Sequence, residues 1–175
     1  EQQNSVRAIM GQHYSRFSVD NFAKCSKPSQ YKKLLFSLSF LHATVVQRQR
    51  YGSCGWKRPY HFSDADFELS ERILQHELNE DGEVPWSALH TLIADVTYGN
   101  RVTDELDMKV LRVLVKQCLS SSSITVDSYK LSDNELYTVP QDGSFPSYLD
   151  HIRSLPTVDS SEAFGLNRNS DTEYM

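Results

Sequence analysis

Between Gln30 and Arg50, apolar residues at Leu34, Leu35, Leu38, Leu41 and Val45 recur at the spacing of one helical stripe, and Phe36, Phe40 and Ala43 widen it. Ser29 is placed to cap this helix after a break at Lys27-Pro28. An apolar surface so broad requires neighbours on more than one side, so the rest of the chain is expected to pack around a central helix. Length agrees with this, because 175 residues at 39% hydrophobic content can bury one sizeable core and suit one domain better than two.

Local signals place further helices around it. An opening helix over Ser5 to Phe17, capped by Asn4 or Ser5, puts Val6, Ile9, Met10 and His13 on one face, and a short turn or helix follows near Val19 to Ala23. Ser63-Asp-Ala-Asp66 has the form of a capping box, and Phe62 before it stands in the hydrophobic-staple position toward Phe67. That fixes a helix start at Ser63, with Ile73, Leu74 and Leu78 inward and a turn at Asn79-Glu-Asp-Gly82. Pro85 suits the first turn of a helix carrying Leu89, Leu92, Ile93 and Val96, which is expected to end at Tyr98-Gly99-Asn100 in a left-handed cap. Thr103 is the expected cap of a last long helix. Asp104 and Glu105 lie near its positive end, and Leu106, Val110, Leu111, Leu114 and Cys118 form its buried face.

Composition changes at Ser120, where four serines close the helical half. Ile124-Thr-Val126 and Leu136-Tyr-Thr-Val139 read as short strands, and a pair so small must lean on the helical core. Tyr148 to Leu155 reads as a helix stopped by Pro156, and Ser161 to Phe164 as a short turn. The expectation is therefore a mainly α fold, a helical bundle with a small two-stranded β element in its C-terminal third. Residues 1–119 form the helical core, 120–166 an extension packed on it, and 167–175 a polar tail or linker.

Chemistry-bearing patterns are sparse. There is no GxxxxGK[ST], HExxH, GxSxG or GxGxxG, so neither a phosphate cradle nor a catalytic centre is expected. The six histidines share no close metal-ligand spacing; no metal is expected, and His42 and His90 read as hydrogen-bonded structural residues. Cys25, Cys54 and Cys118 are odd in number and far apart, as in a reducing compartment. Asp64 and Asp66 look like a carboxylate pair of the kind a hydrolase uses, with His61 as the third member. Their place in a first helical turn makes capping and dipole stabilisation the better reading. A net charge of −5 argues against nucleic-acid and anionic-membrane partners, and no apolar run reaches the length of a membrane span. Arg48, Arg50, Lys57 and Arg58 surround an aromatic loop with Tyr51, Trp56 and Tyr60. They read as a solvated rim or as a surface for neighbouring protein, with Trp56 and Tyr60 packed over helix ends.

Several stretches are more specific than a generic core requires: Tyr31-Lys-Lys-Leu-Leu-Phe36, Phe40-Leu-His-Ala43, Gly55-Trp56, Tyr60-His-Phe62 before the capped helix, and Tyr98-Gly99-Asn-Arg101-Val-Thr103. Together with Ser5-Val-Arg7-Ala8 at one end, and Ile152-Arg-Ser-Leu-Pro156, Phe164-Gly-Leu-Asn167 and Asn169-Ser-Asp171 at the other, they resemble dynein heavy chains, most closely the axonemal ones. The similar region is the helical lid of the sixth AAA+ module, which precedes the C-terminal domain. The chain departs from the family pattern at Ser5, Tyr31, Val46-Gln47, Ser53-Cys54 and Asn100.

The resemblance implies a piece of a longer polypeptide, consistent with a start at Glu1, and a mechanical role without catalysis of its own. ATP and Mg²⁺ would act at other modules, with no cofactor in this fragment. The expected partners are neighbouring AAA+ subdomains, the C-terminal domain, and other dynein subunits, with the microtubule reached only through the parent chain. The expected location is the cytoskeleton of a cilium or flagellum. Arg7 falls where such lids often place a nucleotide-sensing arginine, and in the sixth module a structural or interface role is expected for it. Phe62, Ser63, Asp66, Phe67, Tyr98, Gly99, Arg101 and Thr103 are the expected structural motif, and Arg7, Arg48, Trp56 and Tyr60 the expected interface. The alternative is a stand-alone helical adaptor that binds protein partners.

Overall fold

In the computed structural model, which describes residues 4–174, the chain begins with α1 (Val6–Ser15), α2 (Val19–Ala23) and α3 (Pro28–Arg48). Next come the short α4 (Gly52–Gly55), α5 (Asp64–Asn79), and α6 (Trp86–His90), which runs on as a π-helix over Thr91–Tyr98. Then follow α7 (Glu105–Cys118), α8 (Ser121–Thr125), α9 (Phe145–Arg153) and α10 (Asn169–Tyr174). Fifteen of the 21 residues of α3 are buried, and every residue from Leu34 to Val45 is among them. The helix therefore has no solvent face over that stretch, which follows from its wide apolar surface. It packs against α1, α5, α7 and α8 and against the 3₁₀ turn Ser161–Phe164. Each large side chain it buries contributes on the order of 1.5–3 kcal/mol relative to exposure.

The start of α3 differs from expectation. Pro28 is its first residue, where a fixed φ suits the helix and the missing N–H has no intrahelical partner to lose. Ser5 caps α1, its hydroxyl accepting from the Ala8 amide at 3.1 Å.

The expected β element does not form. Ser120 and Ser123 make a capping box that starts α8, so Ile124 and Thr125 are helical. Among the described residues, pairing is confined to one antiparallel bridge between Lys130 and Thr138. Asn134 closes the intervening turn by accepting from the Leu136 amide at 3.0 Å, which leaves too little chain for a ladder. Tyr137 and Val139 instead bury singly in the helical core, Tyr137 with its ring centroid 5.4 Å from that of Phe40.

The C-terminal third completes the core. Tyr148 on α9 meets Phe22 and Phe36, and α9 lies against α1. Residues from 167 onward, expected as a tail, include α10. Asp171 accepts from the Ser161 amide at 3.0 Å and from the Tyr51 hydroxyl at 3.2 Å, which ties this segment to the end of α3.

Candidate functional site

The motif residues converge where the entry to α5, the end of the π-helix and the entry to α7 meet. Ser63 and Asp66 form the expected capping box, with an Asp66 oxygen accepting the Ser63 amide at 3.0 Å. The same carboxylate, 8% exposed, pairs with Arg101 from the loop before α7 at 3.2 Å. Phe62 lies in the loop just before the cap. Its ring meets Trp56, Tyr60 and Tyr98, while Phe67 stacks on His13 at 3.8 Å. Tyr98 is fully buried, and its hydroxyl lies 2.7 Å from His42 Nδ1. Burial drives the Tyr98 phenol well above the ordinary range, so it stays protonated.

Gly99 has a right-handed backbone, φ −68°, not the expected left-handed cap. It is needed for space: a Cβ would stand 2.3 Å from the Ala94 carbonyl oxygen and 2.6 Å from the Met108 methyl. The cause is the π register, in which the Gly99 amide donates to the carbonyl five residues back at 2.6 Å. Thr103 is not the cap of α7. Asp104 fills that place, accepting from the Leu106 and Asp107 amides at 2.9 and 3.1 Å.

Asp107 is the residue that sequence reasoning missed. Only 3% exposed, it accepts from the Lys57 amide at 2.9 Å, the Arg58 amide at 3.3 Å and the Tyr60 hydroxyl at 2.7 Å. It thereby holds the loop before α5 against the start of α7. Its one sequence signal was an acidic residue in a first helical turn, which reads as dipole stabilisation.

Arg48 is inside the protein, which corrects its reading as part of a solvated rim; Trp56 and Tyr60, read as packed over helix ends, are buried too, so none of the three presents the expected interface surface. Arg48 Nε donates to the Gly55 carbonyl at 3.0 Å, Nη1 donates to the Phe164 carbonyl, and the guanidinium lies 5.1 Å from the Trp56 ring centroid. Burial pushes Arg48 down to about 10, against the pull of Asp107, and it remains charged at neutral pH. The Trp56 indole donates to the Val45 carbonyl at 3.0 Å. Arg50, Lys57 and Arg58 are the exposed members of the basic group. Arg7 lies apart from the junction, beside a cleft of about 310 Å³ between α1 and the end of α9, and makes no ion pair among the described residues.

The fold also assembles a group that spacing did not reveal. His13 on α1, His42 on α3 and Asp64 on α5 each offer a donor atom, all within 4.8 Å of one another. Burial lowers His13 to about 3, helped by the proximity of His42, and burial lowers His42 to about 4 against the pull of Asp64 and Asp66. His61, the third member of the hydrolase constellation, is exposed, and Asp66 is taken up by the capping box and Arg101.

In this junction the specific residues bind one another inside a helical bundle. Residues 31–170 match the family described as the dynein heavy chain AAA lid domain. The chain is 41% identical over 171 residues to dynein axonemal heavy chain 2 of Homo sapiens, covering 98% of this chain and 4% of that protein. It is 36% identical over 175 residues to the dynein-1-beta heavy chain of the flagellar inner arm I1 complex of Chlamydomonas reinhardtii, covering 100% and 4%. With dynein axonemal heavy chain 3 of Mus musculus it is 40% identical over 150 residues, covering 86% and 4%. The chain belongs to the dynein heavy chain AAA lid domain family and spans about 4% of the length of these relatives.

Proposed function

We propose that the chain is a non-catalytic lid of an axonemal-type dynein motor ring, which transmits movements driven by ATP at other modules toward microtubule-based motility in a cilium or flagellum. The observation that carries this reading is the internal use of its specific polar residues: Asp66 with Arg101, and Asp107 with Tyr60 and the Lys57 and Arg58 amides. Contacts of this kind hold helices in fixed relation, as rigid-body transmission requires. On this reading ATP and Mg²⁺ belong to other modules, and the chain itself holds no nucleotide. Its partners are neighbouring AAA+ subdomains, the C-terminal domain and other dynein subunits, and 1–119 is the core that 120–166 buttresses.

Calorimetric titration of the 175-residue chain with Mg-ATP tests the non-catalytic role. No saturable heat is expected, and saturable binding overturns it. In the parent heavy chain, Asp66→Ala is expected to lower gliding velocity more than ATPase rate. An unchanged ratio of the two overturns the coupling role.

A further inference from the structure

We propose that His13, His42 and Asp64 form a site for a divalent transition-metal ion of the zinc class, clamping α1, α3 and the start of α5 together. The donor set, two imidazoles and a carboxylate, suits Zn²⁺ with a water in the fourth position. Both rings are held by hydroxyls on their other nitrogens: His13 Nδ1 is 2.7 Å from Ser39 Oγ, and His42 Nδ1 is 2.7 Å from Tyr98 OH. With each Nδ1 proton donated to that hydroxyl, both Nε2 atoms present lone pairs, the arrangement in which outer-shell partners orient metal-binding histidines.

His13 Nε2 carries an independent signal. It is a buried nitrogen with no hydrogen-bond partner in a residue 1% exposed, a state that costs free energy unless something occupies it. Phe67, stacked at 3.8 Å, fixes the plane of this ring. His42 Nε2 stands 3.9 Å from Asp64 Oδ1, too far for a hydrogen bond, while Arg16 holds Oδ2 at 2.8 Å and leaves Oδ1 available. Two bonds of ~2.0–2.1 Å at a tetrahedral angle set donor atoms ~3.3 Å apart, so donors now within 4.8 Å of one another close by at most ~1.5 Å to ligate. Asp64, with its side chain 53% exposed, supplies the route by which an ion enters and water completes the shell.

The test is calorimetric titration of the chelator-stripped chain with ZnCl₂, with Co²⁺ as an optical probe. Saturation at a single ion per chain is expected, with a four-coordinate Co²⁺ spectrum that Zn²⁺ abolishes and a rise in Tm. Asp64→Asn changes an exposed position, is expected to leave the far-UV circular dichroism unchanged, and weakens binding by roughly tenfold or more. Ser39→Ala weakens it by roughly 10- to 100-fold through loss of ring orientation. His76→Ala, at an exposed histidine beside Glu77 and Glu80, leaves it unchanged. Absence of saturable binding, binding indifferent to Asp64→Asn, or binding abolished by His76→Ala each overturns the proposal.

Discussion

Replacing Asp107 with alanine tests whether one carboxylate organises the junction. The substitution removes the acceptor for three donors, the Lys57 and Arg58 amides and the Tyr60 hydroxyl, at 2.9, 3.3 and 2.7 Å. An unsatisfied buried donor costs about 1–3 kcal/mol. Lys57 and Arg58 are exposed residues whose amides water can reach, so they fall at the low end, whereas Tyr60 is buried. Loss of a carboxylate from the first turn of α7 adds about 0.5 kcal/mol. The total is about 3.5–5.5 kcal/mol, a large part of the ~5–15 kcal/mol that holds a domain folded. Urea unfolding followed by far-UV circular dichroism is the assay, with a lower midpoint and an unchanged slope expected. Asp107→Asn, which keeps one acceptor oxygen, is expected to cost about half as much. A loss below about 1 kcal/mol for the alanine variant would refute the reasoning, since it would mean that solvent replaces the carboxylate freely.

Acidification should destabilise the chain through its buried histidines. His13 at about 3 and His42 at about 4 stay neutral while the unfolded forms take up protons near 6.5, so stability is full above about pH 6.5 and falls toward pH 4. The loss is about 2 kcal/mol per histidine at pH 5, read from urea midpoints at pH 7 and 5 with chelator present; equal midpoints would contradict it. Gly99→Ala forces a Cβ against backbone and is expected to cost about 1–3 kcal/mol in thermal unfolding, more than Gly11→Ala, where the space is open. Asp66→Ala should cost about 1–2 kcal/mol, and Arg101→Ala, 43% exposed, under about 1 kcal/mol. Equal losses would show that the pair, not the cap, carries the effect. Thiol labelling of the native chain should reach exposed Cys54 first. Burial pushes Cys118 up to about 12 and keeps it unreactive until unfolding.

What the sequence made legible was local. The stripe from Leu34 to Val45 defined α3 because periodicity is a property of a single helix, and Ser63-x-x-Asp66 defined the start of α5 because a capping box closes within four residues. Misreadings arose where a cap inside a run of serines went unread or where a neighbour in space decided. Ile124 and Val126 have strand-forming side chains, yet Ser120 and Ser123 before them form a capping box of their own and start a helix. Gly99 suggested a left-handed cap because flexibility is the usual reason for glycine, whereas here the reason is the Met108 side chain and the Ala94 carbonyl. His13, His42 and Asp64 lie on three helices, so no spacing in the chain could announce them.

Asp66 and Asp107 explain why the junction looked simpler in sequence than it is. Each is the third residue of its helix, following Ser63 and Asp104, but only Asp66 makes the local bond to its N-cap amide that such a position implies. Each also reaches a distant segment: Asp66 binds Arg101 at the entry to α7, and Asp107 binds the loop that leads into α5. Phe62 against Tyr98 joins that loop to the end of the π-helix. The links run from the loop to α7, from α7's entry back to α5, and from the loop to the π-helix, and because the loop continues covalently into α5 the first two close a circuit. Apolar contacts alone allow packed helices to slide by small shear displacements. A closed set of directional bonds resists that sliding, because displacing any one element along its axis must lengthen a bond to another. The polar residues of the motif therefore add shear resistance to a core whose cohesion comes from α3.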